Sequence, residues 1–372
     1  MRIYLDYASH TPASEAVLHA YCEAEKIFVG NPMSTHAAGR EAGQELSRIT
    51  KSIADLLQVT PDEIIFTSGA SEANNLAIKG IARAYGYKGR HILSTCLEHP
   101  SVSAALAALQ DTGYVIELVR ILPNGTIDLR HLESAIRPDT ILLCTSAIDS
   151  ELGAIQPIAE ISNLVEKHPN CHLHIDAAQA MGKLPISMHN SSTLCFSPHK
   201  FYGLVGSGVL VKRDGVVLEP LIHGGGANIY RSGTPALGLA AACHTALAHA
   251  LENQDEWLAK VTKLHEYVIN GLSSYPLVRI NSPANSSPYI INLSVKGVKA
   301  TTFTAELDKR GVCVSIKSAC STDNTPSRPV MAVSRDKQNA LSSWRISLSH
   351  MTEIWELEAF LQAFHDCYCR LT

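Results

Sequence analysis

Lys200 ends the run Cys195-Phe196-Ser197-Pro198-His199-Lys200, and Asp176 precedes it by twenty-four residues in His174-Ile175-Asp176-Ala177-Ala178-Gln179. A lysine that forms a Schiff base and an aspartate that keeps a pyridinium nitrogen protonated are the two protein groups that pyridoxal phosphate (PLP) chemistry needs. Ser197 and His199 add donors for the phosphate, and the amide of Gln179 can reach the ring hydroxyl. His99, in Leu97-Glu98-His99-Pro100, follows another expected strand end, where an imidazole can stack on a ring and move protons. Taken singly, each of these residues also reads as an ordinary cap or structural side chain.

A strand that ends in Ser68-Gly69-Ala70-Ser71 and opens a helix presents free backbone N–H groups and the positive end of the helix dipole. A phosphate is expected there on the Ala70 N–H and the Ser71 hydroxyl. The same four residues also serve as a plain helix start.

Short apolar runs alternate with longer helical ones, as in a parallel α/β sheet. Strands are expected at 64–67, 91–95, 115–119, 141–145, 172–175 and 206–211, with a helix near 101–109 and one or two long helices from Leu237 to about Ser274. Beyond Pro283, the runs 289–294 and 312–315 suggest a smaller α+β domain, against which the N-terminus is expected to pack. Gly203, Gly206 and Gly208 have the wrong spacing for a dinucleotide fingerprint and precede a strand. His168, Cys171, His172 and His174 resemble a metal set only superficially, because no second ligand pair follows.

The chain has 372 residues, 46% hydrophobic and 18% charged, with a formal net charge of −4. That is enough apolar material for a buried sheet and a second domain. It lacks the basic excess by which nucleic-acid binders neutralise phosphates. No apolar run approaches the ~20 residues that span a bilayer, and the N-terminus has no signal-peptide pattern, so a cytoplasmic protein is expected. The 10 cysteines are scattered through apolar segments, unlike a disulfide framework.

Considered together, the segments stop being independent. Tyr4-Leu5-Asp6-Tyr7-Ala8, Gly30-Asn31-Pro32, Ser68-Gly69-Ala70-Ser71-Glu72-Ala73-Asn74-Asn75 and Glu98-His99 appear in order. Glu151-Leu152-Gly153, His174 to Gln179, Ser197-Pro198-His199-Lys200, Arg231-Ser232-Gly233-Thr234, Ser318-Ala319-Cys320-Ser321 and Arg345-Ile346-Ser347 follow. The chain, over essentially its whole length, resembles the NifS/IscS-type cysteine desulfurases, PLP enzymes of the class V aminotransferase group.

The resemblance implies fold type I of the PLP-dependent transferases: a large domain (14–256) with a mainly parallel seven-stranded sheet, and a smaller α+β domain (1–13 and 257–372). It implies a homodimer. Lys200 would be the Schiff-base lysine, Asp176 the pyridinium partner, Gln179 the ring-hydroxyl donor and His99 the stacking residue. Ala70, Ser71, Ser197 and His199 would hold the phosphate, joined by Thr234 from the other subunit. Arg345, with Ser150 beside it, would bind the substrate carboxylate. L-Cysteine would displace Lys200, whose freed amine removes the Cα proton. Cys320, as thiolate, would then take the sulfur as a persulfide, leave alanine, and pass the sulfur to an acceptor protein.

The chain departs from the family pattern at several places. Asp149-Ser150 stands where two asparagines are usual, and an acidic Asp149 would be unfavourable if it faced a carboxylate. Ser9-His10 replaces a small residue and threonine, Lys317 replaces the glycine before Ser-Ala-Cys, and Ser349-His350 stands where glycine and arginine are common. Residues 227–230 form a linking segment one residue shorter than usual. These changes allow two alternatives: a PLP enzyme of the same fold acting on another amino acid, such as a selenocysteine lyase, or a non-catalytic scaffold, for which retained Lys200, Asp176, His99 and Cys320 would have no use.

Overall fold

The computed structural model describes residues 2–188, 191–225, 229–317 and 325–372. The strands in chain order are β1 (Ile3–Tyr4), β2 (Ile64–Thr67), β3 (His91–Ser94), β4 (Val115–Leu118), β5 (Thr140–Ser146), β6 (His172–Asp176), β7 (Thr193–Phe196) and β8 (Gly208–Lys212). They continue as β9 (Val278–Ile280), β10 (Ile290–Val295), β11 (Val312–Cys313) and β12 (Ser343–Ser347). Seven of them form one sheet in the order β2-β8-β7-β6-β5-β3-β4. Only β8 runs against the rest, pairing antiparallel with both β2 and β7.

Alternation along each strand feeds two core layers, because successive side chains leave a sheet on opposite faces. Leu143, Leu194, Phe196, Val209 and Val211 enter one layer, closed by the helices Ala37–Leu57 and Leu237–Glu252. Leu142, Cys144, Cys195 and Leu210 enter the other, closed by Ala70–Tyr85 and Pro100–Gln110. Cys144 and Cys195 are fully buried there and serve as small hydrophobes. The expected long helical stretch after Leu237 is two helices, Leu237–Glu252 and Gln254–Leu272, parted at Asn253.

A three-stranded antiparallel sheet, β12-β10-β9, and the parallel pair β1-β11 build a separate apolar cluster. It gathers Ile3 and Leu5 with Ile291, Leu293, Phe303, Trp344, Ile346 and Phe364. The N-terminal chain is tied here by hydrogen bonds from Leu5 N to Cys313 O and from Ser347 N to Leu5 O. Among the described residues no helix is long and apolar enough to cross a membrane.

Candidate active site

Because β2, β3, β5, β6 and β7 point the same way, their carboxyl ends open on one edge, where α/β sheets bind ligands. Register places Asp176 beside Ser146 on one neighbour and Cys195 on the other. The cavity at this edge holds about 380 Å³ and is lined by Ala70, Ser71, His99, Ser150, Asp176, Gln179, Ser197, His199, Lys200 and Arg345, among others. Sequence reasoning named all of these.

Asp176 is buried and doubly held: Oδ1 accepts from Ala178 N–H at 3.0 Å, and Oδ2 accepts from Asn74 Nδ2 at 2.8 Å. Asn74 also donates to Ser101 Oγ, and its Oδ1 faces His174 Nε2 at 2.8 Å. In the sequence Asn74 belongs to the Ser68–Asn75 motif and has no role of its own. Its signal is a polar residue on the helix stripe that otherwise carries Ala77, Ile78 and Ile81 into the core.

His99 Nδ1 accepts the Ser101 N–H at 3.1 Å. A nitrogen that accepts carries no proton, so the neutral ring holds its proton on Nε2. Burial lowers the pKa of His99, Asp176 opposes that shift and Lys200 reinforces it. His199 Nδ1 lies 2.8 Å from Ser197 Oγ, which itself donates to Ser207 O. Burial, with Lys200, His10 and Lys183, pushes His199 down to about 4.

Lys200 Nζ donates to Ala8 O at 2.9 Å and Ser9 O at 2.7 Å, so the N-terminal segment closes the lysine side of the cavity. Gln179 donates from Nε2 to Ala8 O and accepts at Oε1 from Lys183 Nζ, each at 2.9 Å. Lys183, which sequence reasoning missed, is buried, and burial plus the charges of Lys200 and Arg345 depress it to about 7. Arg345 donates from Nη1 to Ser150 O at 2.6 Å and from Nη2 to Asp6 Oδ1 at 2.9 Å and Ser9 Oγ at 2.7 Å.

The helix Ala70–Tyr85 starts at Gly69 with no side-chain cap, leaving first-turn N–H groups directed at the cavity's end. Gly208 on β8 makes that turn possible: a Cβ there would lie 2.5 Å from the Gly69 carbonyl carbon.

Asp149 does not face this cavity. It is fully buried, and Oδ2 accepts the N–H groups of Glu151 and Leu152, capping the turn that follows. Burial, with Glu151, raises it to about 7. The His172 and His174 rings bond to Ser192, Thr193 and Asn74, and no metal-binding group of His, Cys, Asp and Glu forms among the described residues. Thr234 is exposed and, within one chain, lines a separate recess with Ser68, Tyr230 and Arg231.

Cys320 lies outside the described residues, as do 227 and 228 of the shortened linker. At the ends of the cysteine segment, Lys317 Nζ bonds to Thr325 O and, at 3.1 Å, to Thr325 Oγ1. These two residues line a second recess of about 880 Å³, which shares Leu97, His99 and Ser150 with the cavity.

Residues 3–360 match the family model for class V aminotransferases. A NifS/IcsS protein homolog of Lactobacillus delbrueckii subsp. bulgaricus is 33% identical over 98% of this chain and 97% of its own length. The cysteine desulfurase IscS of Dictyoglomus turgidum is 35% identical over 94% of this chain and 90% of its own. A solved NifS-like protein superposes over 100% of both chains with a TM-score of 0.94 at 30% identity. The chain belongs to the class V aminotransferase family, among its NifS- and IscS-type cysteine desulfurases.

Proposed function

We propose that this chain is a PLP-dependent cysteine desulfurase that converts L-cysteine to L-alanine and carries the sulfur as a persulfide on Cys320. The observation that carries the reading is one cavity in which Lys200, Asp176, His99 and Arg345 converge in a chain of this family.

The residues present fit PLP at both of its ends. Burial, with the charges of Lys200 and Arg345, lowers Lys183 to about 7, and this gathering of basic groups suits an anionic ligand. The uncapped helix start at Gly69 suits a phosphate, and a buried carboxylate suits a protonated ring nitrogen. Lys200 would hold PLP covalently, Asp176 its ring nitrogen and Gln179 its ring hydroxyl, with His99 over the ring. Ala70, Ser71, Ser197 and His199 would hold the phosphate, with Thr234 supplied by a second copy in a homodimer.

When bound, PLP supplies the electron sink for the charge left as Cα loses its proton. Arg345 orients the substrate carboxylate through its planar fork, with Ser150 beside it. Lys200 Nζ, once free, would be the base for the Cα proton. His99, a cavity residue whose neutral ring holds its proton on Nε2, would be the group that gives a proton up. Cys320, as thiolate, would attack the substrate sulfur, so that an S–S bond forms as the Cβ–S bond breaks and Cβ takes a proton to give alanine. The outer sulfur of that persulfide would then pass to an acceptor protein, the S–S bond breaking to return the Cys320 thiolate. We assign residues 14–256 to a large domain, and 1–13 with 257–372 to a small one carrying the cysteine segment.

Borohydride reduction of the PLP-containing protein, followed by peptide mass analysis, tests the cofactor assignment. The phosphopyridoxyl mass is expected on Lys200 and is to vanish in Lys200→Ala. Its appearance on Lys183 instead would refute the assignment.

A further inference from the structure

Arg345 offers five N–H groups, and its described bonds engage three of them. One on Nη1 goes to Ser150 O, and both on Nη2 go to Asp6 Oδ1 and Ser9 Oγ. Nε is buried with no partner. A carboxylate gripped at two points uses either Nη1 with Nη2 or Nε with Nη2, since only those pairs share an edge of the guanidinium. Either grip requires Nη2, so one of its two present partners must yield.

Asp6 is the stronger holder, because its bond is charge-assisted. Ser9 is neutral, lines the cavity, and is bonded on both sides: Oγ accepts from Arg345 and donates to Asp6 Oδ1 at 2.9 Å. Ser315 Oγ, 3.4 Å away, can donate to Ser9 once Nη2 leaves. We propose that Ser9 is a specificity-determining residue for the substrate α-carboxylate: its hydroxyl cedes Nη2 of Arg345 to that carboxylate while continuing to donate to Asp6. The inference rests on Arg345 being the carboxylate anchor. Without the hydroxyl, Asp6 loses a donor, draws Nη2 harder, and competes with the substrate for it.

Two stable probes isolate the effect on the full-length protein freed of PLP: phosphopyridoxyl-L-alanine, and phosphopyridoxyl-ethylamine, which differs only in lacking the carboxylate. The ratio of their calorimetric dissociation constants measures what the carboxylate gains. In Ser9→Ala that ratio is expected to fall about ten-fold, the scale of one hydrogen bond to a charged group, and Ser9→Thr is expected to recover most of it. An unchanged ratio in Ser9→Ala, or equal weakening of both probes, overturns the proposal, the latter showing a merely structural role. Arg345→Lys separates the two levels: if it leaves the ratio intact, the anchor reading fails and Ser9 falls with it. If the wild type binds neither probe, the cofactor reading fails as well.

Discussion

The 2.8 Å hydrogen bond from Asn74 Nδ2 to Asp176 Oδ2 ties the first helix after β2 to the end of β6. Asn74 is fully buried and meets His174, Ser101 and Cys195 as well, so Asp176 cannot turn without breaking a connected set. Replacing Asn74 by leucine leaves a buried carboxylate oxygen short of a donor, which costs about 1–3 kcal/mol. PLP affinity of Asn74→Leu is therefore expected to fall by roughly ten- to a hundred-fold, read by absorbance titration of the cofactor-free protein.

Lys183 gives a stability signature on the alkaline side. Its folded pKa is about 7, against 10.5 for a free lysine. Between those values the unfolded chain binds a proton that the folded one does not, so stability rises with pH and is least below the folded pKa. The slope is at most about 1.4 kcal/mol per pH unit. A melting series from pH 6 to 10 (about the window set by these values) should show Lys183→Met gaining most at the acid end and flattening the rise. Parallel curves for both proteins would refute the shift.

Glu98 acts in the opposite sense. It is buried and accepts from Thr95 Oγ1 at 2.6 Å, and burial, with Asp176 and Asp149 adding to it, raises its pKa to about 8 from 4.5. A raised pKa contributes stability that is complete below the unfolded value and is lost as pH climbs through the folded one. Glu98→Gln mimics the protonated acid, so its stability relative to wild type is expected to improve steadily from pH 4.5 to 8. Chemical denaturation at both ends of that window measures it.

Gly208 tests the phosphate end by sterics alone. A methyl group there would sit 2.5 Å from Gly69 C, 2.6 Å from Gly69 Cα and 2.8 Å from Thr67 Oγ1. Backbone cannot yield as a flexible side chain does, and such overpacking costs about 1–3 kcal/mol. Gly208→Ala is expected to lower both the melting temperature and PLP affinity, because the Ser68–Ser71 turn must move.

The parallel strands and the helix starts after them were legible because apolar runs of strand length alternate with helical ones. The cavity residues other than Arg345 followed largely because the carboxyl ends of β2, β3, β5, β6 and β7 and the loops after them carry them. β12 was read only as a motif: in Ser343-Trp344-Arg345-Ile346-Ser347, Trp344 and Ile346 fill the core while Arg345 turns to the cavity, which hides the strand's apolar share. β7 is hard to see in the sequence because only three apolar residues follow its polar first residue, Thr193, which is buried against His174. Asp149 would be unfavourable only if it faced the cavity, and it does not, because its carboxylate caps the turn at Glu151 and Leu152. Lys183 was invisible because nothing in a pattern shows that a lysine four residues beyond Gln179 turns inward to hold its amide.

The most direct test is to measure alanine and sulfide formed from L-cysteine with dithiothreitol, by wild type, Lys200→Ala and Cys320→Ala in parallel. Equimolar alanine and sulfide from the wild type, and neither from the two variants while Cys320→Ala keeps its PLP absorbance, is the expected result. A wild-type protein that binds PLP yet yields no alanine from L-cysteine, or a Cys320→Ala variant with undiminished sulfide, would contradict the proposed function.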